Sequence, residues 1–539
     1  MLDGKTRKKE EASSEKHHWV RLTKRCNNNC VFCLDTGSRD GSVVPFDTLA
    51  ADFRRGRADG ATRLILSGGE ATLHPDFIPL VRFASSLGFR RIQVVTNGRM
   101  FAYRDFLDCA IDAGLQETTF SMHGHTPELH DAQTRVPGSF LQALAGLSAA
   151  LQSRRLIVNV DIVINKFNYR SIDEIMDFFI GLGIREFDLL HVTPYGDAWK
   201  NRADVFYDPA RGLKYLNRAF AYSRRPDLFV WTNRFPPQLL SAFPELIQNP
   251  LKIKDEVRGR MPLFDDFLAG RARLPCRGAR CHHCFLRGLC SDLFRIRRAL
   301  DSGGPSALSV HTADLGNAHS LFGPRLKKLA LLGGPVSELK TKGKLIPDGV
   351  SLFLFFDDFS GFGSLGGKIL NRNISAFAAD PLGLENILSA GAARPLLELN
   401  TATADFIASG RDFLEKHKVV LFYRNRKTLT ECREKDVDLK DFFSGGGFGK
   451  LKTMNLPACL PHGGASRLPR FVPYEVAGPR GEIDMRKLAD DFILNGYYVH
   501  PEKCGACAKK NTCPGLHVNC FRAFGFDAEP FRQNKGKRR

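Results

Sequence analysis

Residues 19–33 read WVRLTKRCNNNCVFC, a short alternating run of apolar and polar residues that leads into three cysteines. The alternation from Trp19 to Thr23 predicts a β-strand, and the asparagines that follow predict a loop. On this loop Cys26, Cys30 and Cys33 have the spacing C-x3-C-x2-C. Three thiolates so close together can hold three corners of an iron–sulfur cube and leave the fourth iron free for a small molecule. Zinc fits less well, because a structural zinc ion takes four nitrogen or sulfur ligands.

The chain around this loop alternates short strands with amphipathic helices. The predicted strands are Trp19–Thr23, Arg63–Ser67, Arg91–Val95, Glu117–Ser121, Leu156–Ile164 and Glu186–Leu190. The predicted helices lie near 46–57, 76–87, 103–113, 140–153 and 171–181. Such an alternation predicts a parallel sheet built from right-handed βαβ units. The fold class is therefore α/β, a partial (βα)6 TIM-like barrel, with its chemistry on the loops after the carboxyl ends of the strands.

Unusual residues follow those strand ends in order along the chain. The first strand leads into CNNNCVFC, the second into SGGEATLHPDF and the third into TNGR, while Ser121 ends the fourth. This ordered set resembles the radical S-adenosylmethionine (SAM) superfamily over about residues 18–200. The resemblance implies that Cys26, Cys30 and Cys33 ligate a [4Fe-4S] cluster whose open iron binds SAM.

The same resemblance implies SAM-binding roles for residues on these loops. They are Phe32, Gly68, Gly69, Glu70, Asn97, Ser121 and Arg135. By position, the aromatic ring lies near the adenine, and the Gly-Gly-Glu motif receives the amino group of SAM. The asparagine and the serine contact the ribose or the methionine portion, and the arginine pairs with the carboxylate. Strand-end residues from 161 to 165 are expected near adenine or substrate. No residue is assigned a catalytic role.

Eight further cysteines form two groups that share a C-x2-C-x5-C core. The groups are Cys276, Cys281, Cys284, Cys290 and Cys504, Cys507, Cys513, Cys520. Four thiolates within so short a segment fit either a fully ligated iron–sulfur cube or a zinc knuckle. The core resembles the SPASM and twitch extensions, which carry auxiliary [4Fe-4S] clusters, although in a SPASM extension the next cysteine follows the core more closely than Cys520 does. Two auxiliary clusters, one cluster with a zinc site, one shared cluster and two zinc sites all remain open.

The remaining cysteines and the rest of the chain carry weaker signals. Cys109, Cys432 and Cys459 stand alone, and small buried residues are the default interpretation for them.

From about 300 to 490 the chain is rich in Gly, Leu and Phe without a clear period, which predicts an additional mixed α+β domain. The predicted organisation is a disordered basic N-terminus at 1–17, a core barrel at 18–235, a linker and first cysteine-rich segment at 236–300, the mixed inserted domain at 301–490, a second cysteine-rich segment at 491–525 and a disordered basic tail at 526–539.

Charge and composition restrict the partners. Lys plus Arg number 78 against 58 Asp plus Glu, so the formal net charge is +20. This excess raises the question of nucleic acid, but no nucleic-acid-binding motif supports it. No apolar run is long enough to span a membrane, and the polar N-terminus is not a secretory signal. A cytoplasmic location and cysteines that bind metal rather than pair as disulfides are therefore expected.

The resemblance implies an enzyme that cleaves SAM reductively and uses the resulting 5′-deoxyadenosyl radical to take hydrogen from a substrate. The SPASM-like segments imply a peptide or protein substrate and one or two auxiliary [4Fe-4S] clusters. An electron donor such as flavodoxin or ferredoxin is the expected partner. The alternatives are modification of RNA or of a small metabolite, and a non-catalytic, metal-bearing protein that binds nucleic acid.

Overall fold

Two structural units make up the chain. The computed structural model describes residues 4–34, 40–274, 276–391, 393–460 and 464–526, without the side chains of residues 13 and 14. Of these described residues, the N-terminal unit comprises those within 4–249 and 276–285, and the C-terminal unit comprises those within 250–274 and 286–526. The predicted basic tail, apart from residue 526, lies outside the described residues.

The N-terminal unit is built on a sheet of parallel strands in sequential order. They are β1 (His17–Thr23), β2 (Arg63–Gly68), β3 (Arg91–Thr96), β4 (Glu117–Ser121), β5 (Ile157–Ile164), β6 (Glu186–His191) and β7 (Phe229–Asn233). The first six coincide with the predicted strands to within one or two residues at each end, which confirms the predicted α/β barrel. The seventh adds an edge that the sequence pattern did not reveal.

One helix precedes the first strand of this sheet and the others alternate with or lie between the later strands. They are α1 (Gly4–Ser14), α2 (Phe46–Ala58), α3 (Phe77–Ser86), α4 (Arg104–Asp112), α5 (Pro127–Thr134), α6 (Ser139–Ser153), α7 (Ile172–Gly181), α8 (Gly196–Lys200), α9 (Arg202–Val205) and α10 (Pro209–Phe220). Each longer helix buries an apolar stripe; in α6, for example, Phe140, Ala143, Leu147 and Ala150 are buried. This spacing of three and four residues is the pattern that predicted the helices.

The concave face of the sheet is polar and narrow. Arg63 of β2 reaches across β3 to Glu117 of β4, with 3.1 Å between Nη1 and Oε2. Glu186 of β6 is close enough to both for their charges to influence its pKa, which burial raises. Side chains from alternate strands meet in this way only when the sheet curls, as in the layered interior of a βα barrel. We call the space inside this curled sheet the lumen.

The N-terminal segment differs from the sequence prediction of disorder. Gly4–Ser14 is a helix, and the ammonium group of Lys5 donates to the carbonyls of Ser223 and Leu228, at 3.2 and 2.8 Å. Asn249 Nδ2 also donates to Glu10, at 3.0 Å. These partners lie more than two hundred residues along the chain, so local sequence carries no sign of them.

The C-terminal unit is built on a second sheet, in which every pair of neighbouring strands is parallel. Its strands are β8 (Ala307–His311), β9 (Lys328–Leu332), β10 (Ser351–Phe355), β11 (Ile374–Ala378), β12 (Arg394–Glu398), β13 (Val420–Phe422), β14 (Thr453–Met454), β15 (Ala465–Ser466) and β16 (Val472–Pro473). From β8 to β15 the order is sequential, and β16 pairs with β8 at the other edge. The predicted mixed domain is thus a parallel α/β domain, more regular than its sequence suggests.

This second sheet must curl until its edges nearly meet. Nine flat strands would separate β15 from β16 by about 38 Å, at about 4.8 Å per strand. The five residues between Ser466 and Val472 span at most about 22 Å. Consistent with strong curling, one apolar cluster joins residues of six strands and of the β15–β16 connection: Ala330, Phe353, Phe377, Leu396, Val420, Phe422, Met454 and Phe471.

Short helices and one hairpin-like pair complete the C-terminal unit. The helices are α11 (Lys252–Arg258), α12 (Met261–Leu268), α13 (Arg287–Asp301), α14 (Leu339–Lys342), α15 (Gly367–Leu370), α16 (Pro381–Ala390), α17 (Ala404–Ser409), α18 (Arg411–Lys416), α19 (Leu429–Lys435), α20 (Leu439–Ser444), α21 (Tyr474–Ala477), α22 (Met485–Asp491) and α23 (Val518–Phe524). Strands β17 (Tyr498–Val499) and β18 (Leu516–His517) pair antiparallel. Among the described residues, no helix is both long and apolar enough to cross a membrane.

A buried ion network fixes the connection between β15 and β16. Arg470 contacts Asp292 of α13 and Asp491 of α22, each at 2.5 Å, and its backbone carbonyl accepts from Arg295 at 3.2 Å. The two carboxylates raise the pKa of Arg470 against the opposing effect of burial. Removing the arginine would leave two carboxylates facing each other in a partly dry site, which is more costly than losing an exposed ion pair.

We predict that Arg470→Met lowers the free energy of unfolding by about 3 kcal/mol. The matched control is Arg258→Met, which removes an exposed arginine paired with Asp255 one turn away and is expected to cost less than about 1 kcal/mol. Urea unfolding followed by circular dichroism measures both. Equal losses for the two variants would contradict the structural role of Arg470.

Candidate functional site

The loop that carries the first three cysteines is held from two sides. We call residues 24–34 the cysteine loop. The backbone N–H groups of Asn29 and Val31 donate to the carbonyls of Thr134 and Gln133, both at 2.8 Å. These carbonyls end α5, where a helix leaves acceptors without intrahelical partners. The end of α5 therefore provides a fixed support for the loop.

The opposite side of the cysteine loop rests on the residues around α8. The Asp197 N–H donates to the Cys33 carbonyl and Asn201 Nδ2 donates to the Val31 carbonyl, both at 2.8 Å. A Cβ atom at Gly196 would collide with the Cys33 carbonyl oxygen. Only glycine allows this close approach, so Gly196 belongs to the site although the sequence motifs did not include it.

The Gly-Gly-Glu motif lies against the start of the same loop. The N–H groups of Gly69 and Glu70 donate to the carbonyls of Thr23 and Arg25, both at 2.7 Å. A Cβ atom at Gly69 would collide with the Arg25 carbonyl oxygen, and Gly68 has a φ of 138°. The two glycines thus bring the end of β2 into direct backbone contact with the segment that leads to Cys26.

Glu70 is buried, with 2% of its surface exposed. Its Oε1 accepts from Thr72 N, Thr72 Oγ1 and Thr96 Oγ1, at 3.2, 2.6 and 2.7 Å, and its Oε2 accepts from Asn97 N at 2.7 Å. Burial raises the pKa of Glu70, and these donors oppose the rise. The carboxyl group therefore joins the ends of β2 and β3, and both of its oxygens are engaged by protein groups.

Asn97 and Arg99 extend this network back to the cysteine loop. Asn97 Nδ2 donates to Asn27 Oδ1 at 2.6 Å. Arg99 donates to the carbonyl of Asn27 and, at 3.0 Å, to Asn28 Oδ1. The asparagines between the cysteines are therefore contact points, and Arg99 is a site residue that the sequence had shown only as the last letter of TNGR.

Phe32 and Arg135 occupy different surroundings. Phe32 is buried in an apolar cluster with Val31 and Val192, and its ring meets His123 edge-on with 4.8 Å between centroids. Burial lowers the pKa of His123 well below its usual value, so the imidazole is neutral. Arg135 lies exposed directly after α5 and donates to Asn201 Oδ1 at 3.2 Å. The structure thus brings Arg135 to the α8 side of the cysteine loop, through the residue that also holds Val31.

Ser121 lies inside the barrel beside two acids. It pairs in register with Asp161 of β5, which pairs with Asp188 of β6. Burial raises the pKa of Asp161 to about 7, Asp188 adds to the rise and a hydrogen bond from Ser121 opposes it. Asp161 Oδ1 is buried without a hydrogen-bond partner among the described residues, whereas both oxygens of Asp188 accept from Asn233 Nδ2.

Cys26, Cys30 and Cys33 are partly exposed on the supported loop. Within the described ranges, no three His, Cys, Asp or Glu side chains converge where one metal ion could bind. A four-iron cube takes one thiolate per iron, so its ligands surround it instead of converging on one point. Three partly exposed thiols on one supported loop fit the ligand set of such a cube.

The second cysteine group is divided between the two units. Cys276, Cys281 and Cys284 belong to the N-terminal unit, where the tilted rings of His283 and Phe206 have 4.3 Å between their centroids. Cys290 is the fourth residue of α13, which belongs to the C-terminal unit.

The third cysteine group differs from its prediction. Cys504, Cys507 and Cys513 line one cavity, but Cys520 does not line it. Cys520 lies on α23, is 2% exposed and is 2.9 Å from the hydroxyl of Tyr423. The structure therefore does not bring Cys520 to the cavity that the other three members line, because α23 turns its side chain into the protein core. Cys459, which the sequence had left as a lone buried cysteine, lines the cavity instead.

Comparisons with known proteins agree with this geometry. The model of the radical SAM superfamily matches residues 20–179. A probable GTP 3′,8-cyclase of Saccharolobus islandicus is 27% identical over 178 residues, which cover 33% of this chain and 57% of the relative. The PqqA peptide cyclase of Ruegeria pomeroyi is 29% identical over 184 residues, which cover 34% of this chain and 48% of the relative. The chain thus spans about half the length of the curated relatives it matches.

A solved structure gives a similar extent of match. Streptococcus suis SuiB bound to its precursor peptide SuiA matches 43% of this chain and 52% of its own, with 18% sequence identity and a TM-score of 0.36. The matched family segment contains the cysteine loop, the Gly-Gly-Glu motif and strands β2 to β5. Residues 20–179 are therefore the part of this chain that is similar to the radical SAM superfamily.

Proposed function

We propose that this chain is an enzyme that cleaves SAM reductively at a [4Fe-4S] cluster held by Cys26, Cys30 and Cys33 and then takes a hydrogen atom from a peptide or protein substrate. One observation carries the proposal: the cysteine loop, the Gly-Gly-Glu motif and the TNGR turn are hydrogen-bonded to one another at the carboxyl edge of one curled sheet. In βα barrels this edge carries the chemistry.

The bound cluster would supply the electron that breaks the bond between sulfur and C5′ of SAM, giving methionine and the 5′-deoxyadenosyl radical. The chain's own part is to hold and orient. The Gly68–Gly69 backbone allows SAM to approach closely. The N–H groups of Gly69 and Glu70 hold this backbone in place by hydrogen bonds of 2.7 Å to the carbonyls of Thr23 and Arg25. Asn97 and Ser121 offer polar groups to the ribose or methionine portion, and Arg135 offers a charge to the carboxylate.

The lumen below this edge favours a substrate that presents N–H or O–H groups. Asp161 and Asp188 stand side by side on β5 and β6, and one oxygen of Asp161 has no partner among the described residues. Asp161 Oδ1 can accept a hydrogen bond from an amide or hydroxyl group of the substrate, so this side of the lumen suits a peptide. The SPASM-like cysteine cores and the relation to a peptide cyclase support the same choice.

Further components belong to the proposal. An external one-electron donor such as flavodoxin or ferredoxin is required, because reductive cleavage consumes an electron. One or two auxiliary [4Fe-4S] clusters in the later cysteine groups would pass electrons or anchor substrate. A cytoplasmic location suits cysteines that must stay reduced.

The substrate class can be tested by isotope transfer. Peptide, RNA and small-metabolite fractions are prepared from the source organism grown in deuterated medium and added to the reconstituted enzyme with SAM and dithionite. Hydrogen abstraction moves deuterium into 5′-deoxyadenosine, which mass spectrometry detects. We expect deuterium with the peptide fraction only; transfer from the RNA or metabolite fraction alone would contradict a peptide substrate.

We predict that Cys30→Ala abolishes reductive SAM cleavage, because the cube then has only two protein ligands on the loop. The measurement is 5′-deoxyadenosine formed under anaerobic conditions with dithionite. Cys109→Ala, which removes an exposed lone cysteine on α4, is the matched control and keeps wild-type activity. Continued cleavage by Cys30→Ala would disprove the cluster assignment.

We predict that Glu70→Gln destabilises the protein even without SAM. The amide nitrogen of glutamine would face at least one N–H or O–H group that now donates to the carboxylate. That buried donor would then have no acceptor, at a cost of about 1–3 kcal/mol. Urea unfolding without SAM measures the change, with the exposed Glu128→Gln on α5 as control. If Glu70→Gln lowered only SAM affinity and left stability unchanged, the positioning role derived from its four hydrogen bonds would be wrong.

We predict a pH-dependent stability that Asp161→Asn removes. The folded protein keeps the Asp161 proton up to about pH 7, whereas the unfolded chain releases it near 3.8. The folded state thus binds more protons in this window, and the free energy of unfolding falls as pH rises, by at most about 1.4 kcal/mol per pH unit. In urea unfolding from pH 5 to 8, the wild type should lose stability relative to Asp161→Asn. The exposed Asp105→Asn should follow the wild type; parallel curves for wild type and Asp161→Asn would contradict the prediction.

A further inference from the structure

A cavity in the C-terminal unit brings together cysteines from two distant segments. Cys504, Cys507 and Cys513 come from the loop between β17 and β18, and Cys459 comes from the loop after β14. The rest of its lining is mostly apolar, with Lys510 and His500 as the polar exceptions. We propose that Cys459 is the fourth protein ligand of a [4Fe-4S] cluster held by Cys504, Cys507 and Cys513.

Backbone contacts connect the two segments at the sulfur atoms. The N–H of Ala458, next to Cys459, donates to the Sγ of Cys513 at 3.3 Å. The Gly515 N–H donates to the same Sγ at 3.4 Å. Hydrogen bonds from backbone N–H groups to sulfur stabilise a thiolate and tune the potential of the cluster that it ligates.

The four thiols are near enough to influence one another. Cys459 lies within electrostatic range of Cys513, Cys504 and Cys507. The Lys510 side chain, which lines the cavity, supplies one positive charge beside the cluster.

The fold holds this arrangement at the functional edge of the second sheet. Cys459 lies five residues beyond the carboxyl end of β14. The pairing of β17 with β18 closes the base of the cysteine segment, through Tyr498 opposite His517. Asn425, which follows β13, hydrogen-bonds the Tyr498 hydroxyl at 2.9 Å. The segment is thus fixed to the loops after β13 and β14, on the edge where βα barrels bind their ligands.

The alternative fourth ligand is excluded by its surroundings. Cys520 is buried beside Tyr423, and the cavity lining does not include it. A cube also fits the placement better than one zinc ion, because the four cysteines line a cavity and do not converge on a single point among the described residues. This inference does not depend on SAM chemistry in the N-terminal unit, since all four ligands belong to the C-terminal unit.

The test counts iron and sulfide per chain after anaerobic reconstitution of the full chain. The background is the Cys26, Cys30 and Cys33→Ala triple variant, which removes the first cluster from the count. In this background we expect Cys459→Ser to lose about four irons, or to lose one and give the EPR signal of a three-iron cluster. Cys513→Ala is the positive control for loss, and Cys520→Ala should keep the iron. Circular dichroism checks that each variant is folded.

Three other outcomes would overturn the proposal, and a fourth would contradict only the proposed function. Loss of iron in Cys520→Ala with full retention in Cys459→Ser would restore the assignment of Cys520. Unchanged iron in Cys459→Ser and Cys513→Ala would show that no cluster occupies the cavity, and one zinc ion lost on substitution of Cys459 would replace the cluster by zinc. Loss of iron in Cys459→Ser, together with a wild-type chain that forms no 5′-deoxyadenosine, would support this site and contradict only the proposed function.

Discussion

The buried carboxyl group of Glu70 is the contact on which the first site depends. Neighbouring parallel strands end at one edge, but their loops diverge unless something joins them. Glu70 joins them by accepting from Thr72, Thr96 and Asn97 across β2 and β3. Asn97 then holds Asn27, so this carboxyl group in the interior connects the ends of β2 and β3 to the cysteine loop. A carboxylate surrounded by donors costs little to bury, whereas its removal would leave those donors unsatisfied.

The geometry of parallel strands explains why both units gather cysteines at one edge of a sheet. Both units contain a parallel sheet whose strands are sequential, apart from β16 beside β8. In both, a cysteine follows a strand at the carboxyl edge: Cys26 after β1 and Cys459 after β14. Parallel strands direct their following loops to one edge, so loops far apart in sequence become neighbours in space. An edge of this kind can gather several thiols without a continuous motif, which is how Cys459 meets residues from 504 to 513.

The sequence predicted the features that short segments encode. The strands β1 to β6 are five to eight residues long and alternate with amphipathic helices, so their pattern is readable. In the second sheet β14, β15 and β16 have two residues each, too few for any period. Cysteine spacing alone favoured Cys520 because it is the next cysteine along the chain; only the direction of α23 shows that it points into the core. Arg99 and Gly196 escaped notice for the same reason, since their partners lie on other loops.

Two buried acids of the N-terminal unit differ in whether both of their oxygens have hydrogen-bond partners, and this difference separates a structural role from a functional one. Glu70 and Asp161 both have a pKa raised by burial. Glu70 has donors at both oxygens, so its burial is compensated within the protein and its role is to hold loops. Asp161 leaves Oδ1 without a partner among the described residues, and such a group costs free energy in the folded chain. That cost is recovered when a ligand places a donor against the free oxygen. An acid that is incompletely satisfied in the lumen is therefore the group on this barrel best suited to meet a substrate.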